Sequence, residues 1–229
     1  MYKKFLRGPG AVFIKSVPLA AGGKEANVSD YNVIADIGET LKKILWERFE
    51  TDPNIYPQII DSEDHITLFS PDEIDEGNPR KLSLFLYQLT ENGHMKNQEM
   101  TAVNSGTYRY PPLAVDLLFL VTCNTDDRKK DHILMGKVMQ VFHDHAVLKG
   151  SILRGNLEGT DQEFRLIFNG LPLEETMNLW QSFREKSFKL SVCYRVTPIE
   201  IDSTREMDSK RVVEKRGQYY QKGVGDPSL

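Results

Sequence analysis

The amino-acid sequence predicts an α+β fold with a mixed, largely antiparallel sheet flanked by helices. Segments with strand-like and helix-like hydrophobic spacing follow one another in the order α, β, β, β, α, β, α, β, so that hairpin-like neighbours occur beside crossovers. The chain has 229 residues, of which 40% are hydrophobic, which is enough for one well-filled domain with extensions. We therefore expect one domain over residues 29–203, with an N-terminal arm over 1–28 and a C-terminal tail over 204–229.

The domain is expected to begin with a helix. Apolar residues recur at three- and four-residue spacing from Ile34 to about Phe49, which is typical of a helix that docks one face on a core. Ser29 or Asp30 can cap its first turn, since a short polar side chain accepts hydrogen bonds from the free N–H groups there.

Two strands and two loops follow this helix. Residues 65–70 and 81–89 are predicted to be strands, and the acidic loop containing Asp72 and Glu73 separates them. The polar segment 90–110 is predicted to be a long loop. Loops of this length are usually functional or disordered.

The segment 111–122, reading PPLAVDLLFLVT, is predicted to be a strand inside the sheet. The proline pair must precede the first paired residue, and the residues after it are apolar on both faces, so that both faces need a cover of helices or of a neighbouring subunit. Asp116 is the exception. A carboxylate among apolar neighbours needs donors or a positive partner, and two interpretations stay open: a structural anchor at a sheet edge or subunit contact, or a catalytic acid.

The second half of the domain is predicted to hold two helices and two strands. A helix over about 127–145 is followed by a glycine-rich connector and a strand over 163–169. Pro172 marks the start of the next helix, in which Trp180 belongs to an apolar core stripe. The last strand is predicted over 188–196, and Pro198 is expected to close it.

Composition excludes several classes of function. The formal net charge is −4, which gives no general attraction to nucleic acid. Cys123 and Cys193 are expected to be reduced thiols in the core of a cytoplasmic protein rather than a disulfide. No apolar run resembles a secretory signal or reaches the ~18 residues that predict a transmembrane helix.

The sequence offers no convergent catalytic site. It contains no phosphate-binding glycine loop, no nucleophile elbow and no paired metal-binding cysteines. His143, Asp144 and His145 stand together, but helix positions two apart point about 200° away from each other, so the two histidines cannot share an ion. We expect no enzyme activity, no cofactor and no metal.

Six segments, taken in order, carry a family resemblance. They are DIGETLKKIL (36–45), LSLFLYQLTENGHMKN (82–97), PPLAVDLLFLVT (111–122), DHILMGKVMQVFHDHAVL (131–148), LPLEETMNLWQSF (171–183) and FKLSVCYRVTPIEIDS (188–203). Together they resemble the tube-cap, or tail-terminator, family of contractile injection systems, which are phage-tail-like particles. The resemblance covers about residues 30–203 and leaves out the first 28.

The resemblance implies a structural role. Members of this family are similar in fold to phage tail terminators and form a six-fold ring on the last layer of the inner tube. The ring stops growth of the tube and contacts the last sheath ring, so that the contracting sheath stays attached. The implied partners are five further copies of the chain, the tube protein and the sheath protein. The implied location is the cytoplasm during assembly, in a particle that is later released or anchored.

The candidate interface residues lie in two loops and at the two ends of the chain. The long loop 90–110 and the acidic loop are expected to supply ring contacts, and residues 1–28 an added contact to a second cap protein or, less in keeping with the sequence, to a membrane. Residues 203–222 carry six basic and three acidic residues, a net charge of +3, for contact with a partner. The candidates are Val12, Phe13, Ile14, Asp72, Glu73, Asn97, Asn104, Lys210, Arg211, Lys215 and Arg216.

Two other functions stay open on the sequence. The chain could be a baseplate or sheath-associated adaptor of the same kind of particle, or an unrelated enzyme of α+β fold.

Overall fold

The structure is a computed structural model that describes residues 31–75, 77–104, 106–183 and 186–208. The helices of these residues are α1 (Val33–Phe49), α2 (Arg128–Asp144) and α3 (Leu173–Gln181). The strands are β1 (Ile66–Thr67), β2 (Leu82–Glu91), β3 (Thr101–Ala102), β4 (Thr107–Arg109), β5 (Leu113–Cys123), β6 (Val147–Lys149), β7 (Glu163–Phe168), β8 (Ser191–Ile201) and β9 (Glu206–Asp208).

Six strands form the main sheet, in the order β1-β2-β5-β8-β7-β6. β1 and β2 run parallel, and every other neighbouring pair is antiparallel. The predicted α+β class with a mixed, largely antiparallel sheet is therefore confirmed. β5, which begins after the proline pair, lies inside the sheet between β2 and β8, as its apolar faces predict.

One face of the main sheet packs against α1 and α2. Ile37, Leu41 and Leu45 of α1 and Val138 and Phe142 of α2 are buried in this layer. The three- and four-residue spacing in the sequence therefore marks the docked faces of both helices, as predicted. Because each fully buried aliphatic side chain contributes about 1.5–3 kcal/mol, this layer supplies most of the hydrophobic stabilisation.

The opposite face carries a smaller core under α3. Trp180 and Phe183 are buried there with Leu120 of β5 and Cys193 of β8, so that Trp180 is a core residue as predicted. The Trp180 ring lies edge-on to that of Phe183, at 5.3 Å between centres. Both faces of β5 are thus covered by helices, but the nine-residue α3 covers only part of its face.

The strand predicted over 188–196 is wrong at both ends. β8 begins at Ser191 and continues through Pro198 to Ile201. Its register against β5 shifts at Asp116, which faces two residues of β8, Thr197 and Pro198. This is a β-bulge, and a bulge tolerates proline because the missing N–H is not needed for the ladder.

The prediction of one long loop over 90–110 is also wrong. β2 extends to Glu91, and the rest of the segment contains β3 and β4. β4 pairs with β9, which lies in the segment assigned from sequence to the C-terminal tail. The strand predicted over 65–70 is too long, since β1 has only two residues. The short strand β6 was not predicted.

The start of α1 is tied to the connector between β6 and β7. Asn32 precedes the helix without a side-chain cap, and Ser29 and Asp30 lie outside the described residues. Instead, the Asp36 carboxylate accepts a hydrogen bond of 3.0 Å from the Asn156 N–H. Gly155 has φ of +64°, and a Cβ at that position would lie 2.1 Å from Asp36 Oδ1. The connector therefore requires glycine both for its backbone and for its approach to α1.

Candidate assembly surfaces

A second antiparallel sheet, which we call the small sheet, is formed by β3, β4 and β9 in the order β3-β4-β9. The Arg109 guanidinium lies 3.2 Å from the Glu206 carboxylate and joins β4 to β9. Beside it, the Arg205 guanidinium lies 4.3 Å from the centre of the Tyr110 ring. These contacts fix the chain before β9 against the chain after β4.

The small sheet exposes apolar side chains and strand edges. Met100, Val103, Tyr108 and Met207 are exposed large hydrophobic residues in or beside it. Within the described part of the chain, β3 and β9 each have one neighbouring strand, so the outer edge of each is open. Open edges can pair with another chain through their main-chain groups, and the small sheet is therefore a candidate assembly surface.

A buried polar network connects the main sheet to the start of the segment that leads to the small sheet. Asp116 Oδ1 accepts hydrogen bonds from Asn92 Nδ2 at 2.9 Å and from Thr197 Oγ1 at 2.5 Å. Asp116 Oδ2 lies 3.9 Å from the Arg195 guanidinium. Asn92 begins the segment that leads to β3, and its N–H also bonds the Ala114 carbonyl. The geometry supports the structural interpretation of Asp116, since each of its oxygens has a partner.

Asn97 and Asn104 both lie in the segment that carries the small sheet. Asn97 is exposed between β2 and β3. Asn104 lies in the turn between β3 and β4, where its Oδ1 accepts from the N–H groups of Gly106 and Thr107 at 3.0 and 2.9 Å. The Asn104 side chain is therefore engaged in forming the turn.

Asp72 and Glu73 lie in a short 3₁₀-helix, Pro71–Glu73, shortly before β2. Glu73 Oε2 accepts from the Ser70 N–H at 2.8 Å and from Ser70 Oγ at 3.0 Å, and Asp72 also accepts from Ser70 Oγ. Both carboxylates therefore form a local cap. Asp72 and Glu73 are nevertheless exposed, so a neighbouring subunit can still contact this loop.

The structure places these candidates in two separate regions. Asp72 and Glu73 lie near the start of β2, whereas Asn97 and Asn104 follow its end, and the ten residues of β2 span about 30 Å between the two. The other seven candidates lie outside the described residues. They are Val12, Phe13, Ile14, Lys210, Arg211, Lys215 and Arg216.

The described residues contain no group of three or more His, Cys, Asp or Glu side chains placed to hold a metal ion. His143 and Asp144 close α2, and His145 follows as its C-terminal cap. The His145 ring bonds the Val141 carbonyl at 2.8 Å and Arg48 at 3.3 Å, which suits a helix end. None of the helices described here has the length and apolarity needed to cross a bilayer.

The two cysteines are buried on opposite faces of the main sheet. Cys123 belongs to the core under α1 and α2, and Cys193 to the core under α3. Burial raises the pKa of the Cys123 thiol far above its usual range. Burial likewise raises the pKa of Cys193 to about 11, against a smaller lowering by its hydrogen bond with Tyr87.

We expect both thiols to react slowly with a disulfide reagent in the folded protein. Since the thiolate is the reacting species, a pKa near 11 in place of an ordinary 8.5 lowers its fraction at pH 8 roughly two-hundredfold. The check is the rate of labelling by dithiobis(nitrobenzoate) from pH 7 to 11, with the protein in 6 M guanidinium as the control. Complete labelling of the folded chain within minutes at pH 8 would contradict these environments.

Sequence reasoning missed the small sheet, although part of its signal was present. Asn104 and Gly106 stand between two short runs of β-forming residues, which is typical of a hairpin. β9 carried no comparable signal. Its three residues pair with β4 across about 100 positions of sequence.

The arrangement is similar to that of a known protein family and of known structures. The family model described as the Pvc16 N-terminal domain matches residues 36–215. The chain belongs to this family. No curated protein matches the chain.

Two solved structures have a fold similar to that of this Pvc16 N-terminal domain protein. One is the sheath/tube terminator of an extracellular contractile injection system, PVC, in the extended state, with 15% identity and a TM-score of 0.55 over 87% of this chain and 65% of that chain. The other is the tube-terminating cap of the anti-feeding prophage, with 16% identity and a TM-score of 0.50 over 81% and 61%. The chain thus spans somewhat less than two-thirds of either protein. At these identities the likeness establishes the fold.

Proposed function

We propose that the chain is a structural terminator that caps the distal end of the inner tube of a contractile injection system and holds the last sheath ring. The observation that carries this proposal is the match of residues 36–215 to the Pvc16 N-terminal domain. The fold shared with a sheath/tube terminator and with a tube-terminating cap supports it. The role requires surfaces for binding other proteins and no catalytic site.

The proposed assembly is a ring of six copies seated on the tube. A closed ring uses two different patches of each subunit, because neighbours meet head to tail. The small sheet and the loop of Asp72 and Glu73 are two such patches, since they lie at opposite ends of β2. We assign the small sheet to contact with the next copy of the chain, where its open edges and exposed apolar side chains become covered.

The ends of the chain complete the proposed set of contacts. We assign Val12, Phe13 and Ile14 to an added contact with a second cap protein, and the basic residues Lys210, Arg211, Lys215 and Arg216 to the sheath. In this proposal the protein assembles in the cytoplasm and becomes part of a phage-tail-like particle.

The decisive experiment is production of the particle with and without the gene for this chain. We expect particles that lack the protein to show tubes of scattered length and sheaths that detach at the distal end, because nothing stops tube addition or anchors the last ring. The measurement is the distribution of tube and sheath lengths in negative-stain images. Particles with normal ends but a missing baseplate would instead support the adaptor function.

The same system tests the small sheet. Supplying the double variant Tyr108→Asp and Met207→Asp should fail to restore uniform lengths, since both changes put charge on exposed apolar positions of the sheet. Met139→Asp is the matched control, because Met139 is similarly exposed but lies on α2. Light scattering should show six copies per ring for the wild type and the control. Full activity of the double variant would contradict our assignment of this surface.

A further inference from the structure

One side of the small sheet is apolar and the other is charged. Ala102 lies directly opposite Tyr108, which in turn lies opposite Met207. Residues opposite each other in a sheet point to the same side, so these three exposed residues form one cross-strand row, which we call the apolar row. The ion pair of Arg109 with Glu206 lies on the other side. The small sheet therefore presents an apolar surface that its own strands do not cover.

A second apolar surface runs along α3. Leu173 and Met177 are both exposed and stand four positions apart, so they lie on the same side of the helix. Trp180 follows Met177 by three positions, and its ring lies 5.7 Å from that of the exposed Phe188. We call Leu173, Met177 and Phe188 the α3 stripe. Because Leu173 is 70% exposed, it contributes little to the core of its own chain.

The two surfaces lie at opposite ends of the main sheet. The Trp180 indole N–H donates to Ser191 Oγ at 3.2 Å, so the α3 stripe lies near the first residue of β8. The strand β9, which carries Met207, comes after the last residue of β8, Ile201. Since β8 spans about 30 Å between its ends, a chain cannot place its own apolar row on its own α3 stripe. Any contact between these two surfaces joins two copies of the chain.

The α3 stripe is continuous with the loop of Asp72 and Glu73. Lys186, which lies two positions before Phe188, donates from Nζ to the Ile74 carbonyl at 2.7 Å. Ile74 directly follows Glu73 in the chain. The stripe therefore belongs to the second of the two different patches that a closed ring uses.

The charges beside the two surfaces are complementary. The Tyr110 N–H donates to the Arg205 carbonyl at 3.1 Å, which extends the pairing of β4 with β9. Arg205 precedes Met207 by two positions and thus lies on the side of the apolar row, whereas the two acids of β9 point to the other side. The first turn of α3 carries two exposed acids, Glu174 and Glu175. Opposite charges of this kind determine which surfaces meet.

We propose that the apolar row of one copy docks on the α3 stripe of the next copy in the ring. This inference rests on the proposed terminator function, since it takes the ring from there and names the second surface of the contact. Each copy contributes one row and one stripe, so the contact is head to tail, as closure of a ring requires. Tyrosine and methionine are enriched in the cores of protein interfaces, and both stand in the row. Arg205 then faces the acids of the first turn of α3.

The test is cross-linking between two introduced cysteines, Tyr108→Cys and Met177→Cys, carried by the same full chain. A short bis-maleimide linker is suitable, because a disulfide requires Cα atoms within about 7 Å. In particles that contain the chain, we expect a ladder of covalent species on a denaturing gel that ends at six copies. The wild-type chain should give no ladder, since Cys123 and Cys193 are buried.

Two further cysteine pairs make the result specific. Tyr108→Cys with Met139→Cys is the matched control, because Met139 is as exposed as Met177 but lies on α2, which covers the other face of the main sheet. We expect no ladder from this control. Met207→Cys with Leu173→Cys crosses the proposed contact at other positions and keeps the test valid if the first pair folds poorly.

Charge exchange gives an independent measurement. Tyr108→Lys alone, or Met177→Glu alone, should scatter the tube lengths in negative-stain images, because each puts a charge into an apolar contact. Both changes in one chain should restore uniform lengths in most particles, since the new lysine of one copy faces the new glutamate of the next.

Three outcomes would overturn the inference. They are the absence of a ladder from both cysteine pairs across the contact, an equal ladder from the Met139 control, and no recovery of tube length in the charge-exchanged chain. If rings of six copies still cap tubes of normal length in the wild type, the terminator function stands and only the assigned contact is wrong. Conversely, a six-copy ladder from the isolated chain, together with normal tube and sheath lengths in particles that lack it, would support the contact and contradict the terminator function.

Discussion

Replacing Gly155 by alanine is expected to lower the free energy of unfolding by about 2–4 kcal/mol. Two costs add. The backbone at φ of +64° is strained for any residue with a Cβ, which accounts for about 1–2 kcal/mol. The new Cβ would also lie 2.1 Å from Asp36 Oδ1, so the carboxylate must move and give up its hydrogen bond to the Asn156 N–H. Urea unfolding followed by tryptophan fluorescence measures the sum.

Matched glycines separate these two costs. Gly150 and Gly159 have φ of +62° and +73°, and a Cβ at either position would meet no atom within 4 Å. Alanine at Gly150 or Gly159 should therefore cost only the backbone share of about 1–2 kcal/mol. In a chain that already carries Asp36→Ala, the cost of Gly155→Ala should fall to the same value, since the clashing oxygen atoms are gone. Equal costs at all three glycines in the wild-type chain would show that the contact with Asp36 contributes nothing.

The larger elements of the fold could be predicted because their information is local. α1 and α2 repeat apolar residues at helical spacing over seventeen residues each, and β5 is apolar on both faces over eleven. Long periodic segments of this kind leave few alternatives. β1, β3, β6 and β9 have two or three residues each, and their formation depends on partners elsewhere in the chain. No short window of sequence contains that information.

The sequence raised two anomalies in the main sheet that have a single structural explanation. Asp116 is a carboxylate in an otherwise apolar strand, and Pro198 was expected to end the neighbouring strand. In the structure Asp116 faces the bulge that contains Pro198. The bulge presents Thr197 as a donor to the Asp116 carboxylate, so that the feature that tolerates the proline also satisfies the acid. Only the register between β5 and β8 reveals this connection.

The candidate interface residues were harder to predict for a related reason. Asn104, Asp72 and Glu73 are polar residues in loops, and such residues serve either a partner or the local backbone. The structure shows that all three side chains bond their own loop. The exposed apolar residues of the small sheet, such as Tyr108 and Met207, carry a clearer signal. That signal emerges once β4 and β9 are known to be neighbours.

Replacing Asp116 by alanine is expected to destabilise the protein by about 2–4 kcal/mol, because it removes a buried acceptor from two hydrogen-bond donors and an opposite charge from a nearby cation. The two donors are the Asn92 amide and the Thr197 hydroxyl, and the cation is the Arg195 guanidinium. Because Arg195 is partly exposed, the expected loss of stability is smaller than the loss on breaking a fully buried ion pair. The change in the urea midpoint measures the loss, and the unchanged slope confirms that the same cooperative unit unfolds.

Asp116→Asn is the informative control, since it keeps an oxygen that can accept from Asn92 and Thr197 but removes the charge. We expect it to cost less than half as much as alanine, because the contact with Arg195 is long at 3.9 Å and each neutral hydrogen bond contributes only about 1 kcal/mol. Asn92 begins the segment leading to β3, so the alanine variant should also increase amide exchange over 100–104 and 206–208 before the main sheet opens. If asparagine is as harmful as alanine, the charge matters more than the acceptor. If exchange rises equally in β5 and in the small sheet, Asp116 supports the main sheet as a whole, and the anchoring of the small sheet must lie in other contacts, such as Gln98 with Glu200.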